Sequence, residues 1–283
     1  MRIVATVAAL RQALTDARLA GKRIGLVPTM GYLHDGHLEL VRASRAQCDV
    51  TVLSIFVNPT QFGANEDLST YPRDLERDEQ MCRDAGVSIL FAPNVQEIYP
   101  ACFDTYVVPG ELARPLCGAH RPGHFRGVAT VVCKLFNMVQ PDVAFFGQKD
   151  FQQGAVVRRM TLDLNLPIEV VMVPTVREPD GLAMSSRNRY LGEDERRRAL
   201  AISRGLSAAL DAFRGGERDA GRLVALAREH VESIGQIQYL DLVDCDTLNP
   251  VVGLVHRPAA LCVAAYVGST RLIDNVILTP PDP

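Results

Sequence analysis

From residue 23 to about 175, short apolar runs alternate with stretches of helical spacing. This rhythm limits the folds open to the chain more than any other feature of it. The apolar runs are 23–27, 50–57, 87–91, 143–146 and 168–173. Run 50–57 is broken only by Thr51 and Ser54, as suits a parallel strand covered on both faces. Helical spacing follows Thr6, a candidate N-cap, as far as Gly21, and returns at 38–48, 73–86, 125–139 and 150–164. Such alternation implies the α/β class, with a doubly wound, Rossmann-like parallel sheet. Ligands of such sheets sit beyond the carboxyl ends of the strands. Loops 31–37, 58–61 and 147–150, and the loop after Val173, each follow a strand and are expected at that edge.

After Asn188 the rhythm changes. Residues 193–213 and 219–234 read as two long helices separated by Gly215-Gly216, and 236–243, 260–267 and 271–278 as strands. Gly268-Ser269 is expected to close a hairpin between the last two. The expected division is therefore a sheet domain over 1–175 and a smaller α+β lid domain over 176–283. Residues 93–123, with five prolines, read as a long loop holding one short strand at 105–108.

Composition excludes several classes. A net charge of −3 over 283 residues argues against a nucleic-acid platform, which is usually strongly basic. Seven scattered cysteines without a C-x-x-C read as reduced thiols, not as a disulfide frame or zinc knuckle. The N-terminal run 3–10 faintly mimics a signal peptide, but Arg11 cuts it short. No run approaches the ~18–20 apolar residues of a membrane span, so no membrane partner and a cytoplasmic location are expected.

The first strand runs into Pro28-Thr29-Met30-Gly31-Tyr32-Leu33-His34-Asp35-Gly36-His37, and a helix leaves it. A helix N-terminus offers unpaired N–H groups and a partial positive charge, which suit a phosphate. His34 and His37, three apart, share a face and can hydrogen-bond phosphate oxygens and the charge developing at phosphorus. The bland alternative is a capping histidine beside a surface histidine, and zinc comes third, since no H-E-x-x-H occurs. Neither G-x-G-x-x-G nor a P-loop is present.

Three further segments carry chemistry. Lys149 stands where a strand turns into a helix, a place the helix dipole denies to a cation unless an anion joins it. Asp150 beside it reads as an N-cap, and Gln153 lies one turn on. Asn58 and Gln61 end the most apolar strand and can exchange hydrogen bonds with a small polar substrate. Met184-Ser185-Ser186-Arg187-Asn188 puts two hydroxyls and a guanidinium on a polar loop of the kind that closes over anions.

Together and in this order, these segments resemble the pantothenate synthetase family, of the nucleotidyltransferase superfamily that includes class I aminoacyl-tRNA synthetases. His34-Asp35-Gly36-His37 is similar to the family's His-x-Gly-His motif, and Met184-Ser185-Ser186-Arg187 to its Lys-Met-Ser-Lys-Ser counterpart. Segments 55–62 and 174–178, and Arg121-Pro122-Gly123-His124-Phe125, also match.

The resemblance implies a ligase. Pantoate and MgATP give pantoyl adenylate and pyrophosphate, and β-alanine then gives pantothenate and AMP. It implies that ATP is held by Met30, Gly31, Tyr32, Leu33, His34, Asp35, Gly36 and His37. Gly147, Gln148, Lys149, Asp150, Val176, Met184, Ser185, Ser186 and Arg187 complete that site. His34, His37, Lys149, Ser185, Ser186 and Arg187 are the implied catalytic set. Gln61 and Gln153, with Asn58, are implied for pantoate and β-alanine, and Asp78 for Mg2+. A homodimer formed through the first domain is implied as well.

Departures from the family pattern are Ala183 in place of the first motif lysine, Gln148 in place of a glutamate, and Gly154 in place of a larger apolar residue. Lys149 and Arg187 are then expected to carry more of the phosphate charge. Two other readings stand beside the ligase: an adenylyltransferase that keeps its nucleotidyl product, and a catalytically silent nucleotide-binding module.

Overall fold

The computed structural model describes residues 1–64 and 66–281; the last two residues of the expected second domain lie outside this range. The chain forms two compact units. The first comprises Met1–Gly110, Arg121–Gly147 and Val156–Pro174. The second comprises Glu111–His120, Gln148–Ala155 and the chain from Thr175 onward.

Among the described residues of the first unit, six strands form one parallel sheet. They are β1 Arg2–Val4, β2 Ile24–Thr29, β3 Val50–Ile55, β4 Ile89–Phe91, β5 Val143–Gly147 and β6 Glu169–Val173, in the order β1-β4-β3-β2-β5-β6. The helices of this unit are α1 Val7–Leu19, α2 Asp35–Gln47, α3 Leu75–Asp84, α4 Val95–Ile98, α6 His124–Val139 and the larger part of α7 Phe151–Asp163, with α5 Cys117–His120 belonging to the second unit. The expected α/β class is what is found. Thr6 caps α1, its hydroxyl accepting from Ala9 N–H.

The middle strands β2 and β3 are covered on both faces. Val27, Leu53, Leu90 and Phe145 form a core with Leu33, Leu40 and Val41 beneath α2. Phe136 of α6 meets Phe146 edge-on with ring centroids 6.4 Å apart. From β2 the chain runs outward through β3 and β4, then returns to place β5 on the other side of β2. The β2/β5 border is therefore the topological switch point, where the strand ends of an open α/β sheet leave a crevice.

One local reading needs correction. The strand expected at 105–108 does not form: the Val107 N–H donates to Thr130 Oγ1 of α6 at 3.0 Å, and the segment is irregular. Arg2–Val4, at the head of the run that mimics a signal peptide, forms the edge strand β1 on β4.

In the second unit β7 Gln236–Asp244, β8 Ala259–Val267 and β9 Thr270–Leu278 form an antiparallel sheet with β8 in the middle. The expected hairpin is present: Val267 pairs with Thr270 across Gly268-Ser269. Side chains alternate along β8. Leu261, Val263, Ala265 and Val267 pack with α8 Glu193–Arg214 and α9 Ala220–Val231 through Leu206, Ala209, Leu223 and Ala227. Ala260 and Cys262 face the other way, into a smaller core with Leu116 and Ala155. Ala155 belongs to α7 Phe151–Asp163, whose first residues group with this unit.

Candidate active site

The histidine turn begins where β2 ends, at the switch point. Gly31 and Tyr32 both take positive φ, +80° and +51°, so the chain reverses and points the Tyr32 and Leu33 N–H groups inward. Asp78 of α3 receives them: Oδ2 accepts from Tyr32 N–H at 2.6 Å and Oδ1 from Leu33 N–H at 2.7 Å. Its side chain is 1 % exposed. Burial pushes its pKa up, the two backbone hydrogen bonds and Arg77 pull against that, and the balance is raised.

These contacts make Asp78 a brace of the histidine turn. Both oxygens are turned onto backbone amides, and Arg77 Nη1 stands 3.7 Å away. Among the described residues, no three His, Cys, Asp or Glu side chains gather as a metal cage.

His34 is the N-cap of α2. Its backbone N–H donates to His37 Nδ1 at 3.2 Å, and the two rings lie 4.0 Å apart, tilted by 32°. A ring nitrogen that accepts is unprotonated, so His37 carries its hydrogen on Nε2 as a neutral donor. The Asp35 and Gly36 amides open the helix beside these rings.

The same unit carries the Gln61 turn, and Gln61 Nε2 reaches Met30 Sδ at 3.3 Å, so the two loops adjoin. Asn58 lies beneath Gln61. It is 1 % exposed, accepts from Tyr99 Oη at 2.8 Å and donates to Gln61 Oε1 at 2.9 Å.

The other expected residues, Gly147 apart, belong to the second unit. Gly147 ends β5, and the turn Gln148–Asp150 follows. Asn275 of β9 ties that turn down, its Nδ2 donating to the carbonyls of Gln148 and Lys149, both at 2.9 Å. Lys149 Nζ donates to Met184 O at 3.3 Å, so its ammonium stands at the loop that lacks the motif lysine at Ala183. Met184 N–H in turn donates to Val176 O at 2.9 Å. Ser185 caps the turn Ser186–Tyr190, its Oγ accepting from Arg187 N–H at 3.3 Å. Asn188 Nδ2 bridges Glu178 Oε1 and Ala183 O at 2.6 and 3.0 Å.

Arg177 grips the buried Asp274 with two hydrogen bonds of 2.6 and 3.1 Å, and Arg196 joins Glu178 and Asp180. Gln153 is half-buried in the first turn of α7, whereas its neighbour Gln152 is buried and bonded to Leu112 O, Pro115 O and the Cys117 N–H.

Several residues that shape these loops were not singled out from the sequence. Tyr99 and Asn275 act on partners 41 and 126 positions away or more, and nothing local marks them. The bracing role of Asp78 had one signal: an acidic residue on the same face of α3 as Cys82, one turn before it.

Fold and turn together define an α/β protein whose sheet presents a helix N-terminus, flanked by two imidazoles, at its switch point. The sequence model of the family described as Pantoate-beta-alanine ligase matches residues 2–277, and the chain belongs to that family. The chain is 72% identical to pantothenate synthetase 1 of Bradyrhizobium diazoefficiens over 279 residues, 99% of each chain. A solved structure of pantothenate synthetase from Thermus thermophilus is similar with a TM-score of 0.93 and 48% identity, over 99% of this chain and 100% of that one. A pantoate-beta-alanine ligase from Francisella tularensis, solved with Beta-gamma ATP and beta-alanine, is similar with a TM-score of 0.81 and 32% identity, over 98% and 97%.

Proposed function

We propose that the chain condenses pantoate with β-alanine at the expense of ATP, in two steps. A pantoate carboxylate oxygen attacks the α-phosphorus of MgATP, and the bond to pyrophosphate breaks. The amine of β-alanine then attacks the acyl carbon of pantoyl adenylate. AMP leaves, the amine loses a proton, and pantothenate is formed. The observation that supports this reading best is the adjoining of the histidine turn and Gln61 through Met30, 3.3 Å apart at the switch point.

The first step brings an anion against a polyanion, so alignment and charge neutralisation lower its barrier more than proton transfer does. In this reading the α2 N-terminus, His34 and His37 hold the phosphates. The neutral Nε2–H of His37 donates to an oxygen whose charge grows in the transition state. Lys149 supplies fixed positive charge, and Ser185, Ser186 and Arg187 close over the triphosphate. Gly147, Gln148, Asp150, Val176 and Met184 line the nucleotide. Gln61 and Gln153 grip pantoate, with Asn58 holding Gln61 in place. Magnesium arrives with ATP as part of the substrate. A cytoplasmic homodimer is part of the same proposal. Among the described residues no helix is long and apolar enough to cross a membrane, and the seven cysteines are free thiols.

The test is exchange of labelled pyrophosphate into ATP. It is expected to need pantoate and not β-alanine, with AMP and an amide appearing only when β-alanine is added. Exchange supported by other hydroxy acids but not by pantoate refutes the assignment.

A further inference from the structure

The segment Arg121-Pro122-Gly123-His124-Phe125 has no part in the mechanism above, yet its side chains converge on the Gln61 turn. His124 Nδ1 lies 2.9 Å from Gln61 O. A carbonyl oxygen only accepts, so Nδ1 carries the hydrogen and Nε2 is left to accept from Arg121 Nη1 at 3.0 Å. Arg121 Nη2 reaches the same Gln61 carbonyl at 3.4 Å, while Nε and Nη2 hold both oxygens of Glu66 at 2.6 Å. Burial works to raise the pKa of Glu66, but the Arg121 hydrogen bonds and charge outweigh it and hold the carboxyl below its ordinary range.

One turn along α6, Gly127 completes the contact. A Cβ there would fall on Thr60 O and Gln61 N, so only glycine lets the helix lie this close. Its carbonyl accepts from Asn58 Nδ2 at 3.2 Å, and the same Nδ2 fixes Gln61 Oε1. With Oε1 engaged, the Gln61 amide is orientated, and among the described residues its Nε2 meets the weak thioether acceptor of Met30.

We propose that Arg121, His124 and Gly127 are positioning residues. They set the backbone of the Gln61 turn so that the Nε2–H₂ donor of Gln61 is presented to pantoate. The inference rests on the reading of Gln61 as a pantoate ligand and goes beyond it, since it assigns specificity for that substrate to residues that do not touch it.

The test is steady-state pyrophosphate exchange on the full chain, with thermal unfolding of each variant alongside. His124→Ala is expected to raise the pantoate KM about tenfold while the ATP KM moves by about twofold or less. His124→Asn keeps an N–H near the Nδ1 position and is expected to restore most of the pantoate affinity. His124→Gln, whose amide follows the Nε2 position instead, is expected not to. Adding His124→Ala to Gln61→Ala is expected to cost nothing beyond Gln61→Ala alone, because both act through one group.

If Gln61→Ala leaves the pantoate KM unchanged, the Gln61 reading itself fails and the inference falls with it. If Gln61→Ala raises it but His124→Ala does not, or the two losses add in full, the positioning role alone is overturned. Equal losses for ATP and pantoate in both His124→Ala and His124→Asn, with lowered melting temperatures, also overturn it by showing a merely structural role.

Discussion

The histidine turn is held from beneath by a carboxylate that water does not reach; the loop carrying Met184 to Arg187 has one buried anchor, Asp274 on Arg177, but leans besides on an Arg196 cluster that water does reach. Asp78 is 1 % exposed and accepts two backbone N–H groups, while the Arg196 side chain is 35 % exposed and its partners Glu178 and Asp180 are 23 % and 33 % exposed. A desolvated charged acceptor makes strong, fixed hydrogen bonds and costs much to disturb. A solvated ion pair is weak and screened by salt. The first arrangement suits a cradle whose shape must exist before the ligand arrives. The second suits a loop that closes over a ligand, for which weak bracing leaves room to move.

The largest way to break this contrast is Asp78→Ala. It leaves two buried N–H groups without an acceptor and Tyr32 in the left-handed region without support. It is expected to cost about 3 kcal/mol or more of stability, read from the urea midpoint, and to abolish pyrophosphate exchange. Unchanged stability would show that the turn holds itself.

Next comes Lys149→Ala. It is expected to slow adenylation about 10²-fold while leaving amide formation from supplied pantoyl adenylate nearly intact, because pyrophosphate has already left in that half-reaction. Rapid-quench measurement of the two half-reactions checks this, and equal losses in both contradict the phosphate role.

Arg196→Ala is the smallest. Its cost is expected to be about 1 kcal/mol or less at low salt and to vanish near ~1 M salt, where the screening length falls to about 3 Å. A salt-independent loss, followed by thermal melts across a salt series, would mean that the loop is as rigidly braced as the histidine turn.

The parts of the site that the sequence makes legible are those whose signal is local. Gly31, His34 and His37 lie within seven residues of one another between an apolar run and a helical one, so strand, turn and helix N-terminus are all announced together. The Gly268-Ser269 hairpin is legible for the same reason. What reaches across the chain is not. Asp78 meets Tyr32 and Leu33 over 46 and 45 positions, and only the family resemblance singled it out, as a residue for magnesium. Asn275 holds the Lys149 turn from a strand in which it looks like any alternating polar residue. Strand β1 is three residues long, too short to show a period, while 105–108 has the β-branched and aromatic residues of a strand but sends the Val107 N–H to a side chain.

The second unit is assembled from three pieces of chain, and this bears on recombination. A gene fragment starting near residue 176 encodes the whole antiparallel sheet but omits α5 and the first residues of α7. Ala260, Cys262 and Val243 would lose Leu116 and Ala155 as neighbours and show an apolar face to water. Such a cassette would be sticky and poorly soluble. Swapping this half between relatives would require the short inserts at Glu111–His120 and Gln148–Ala155 to travel with it.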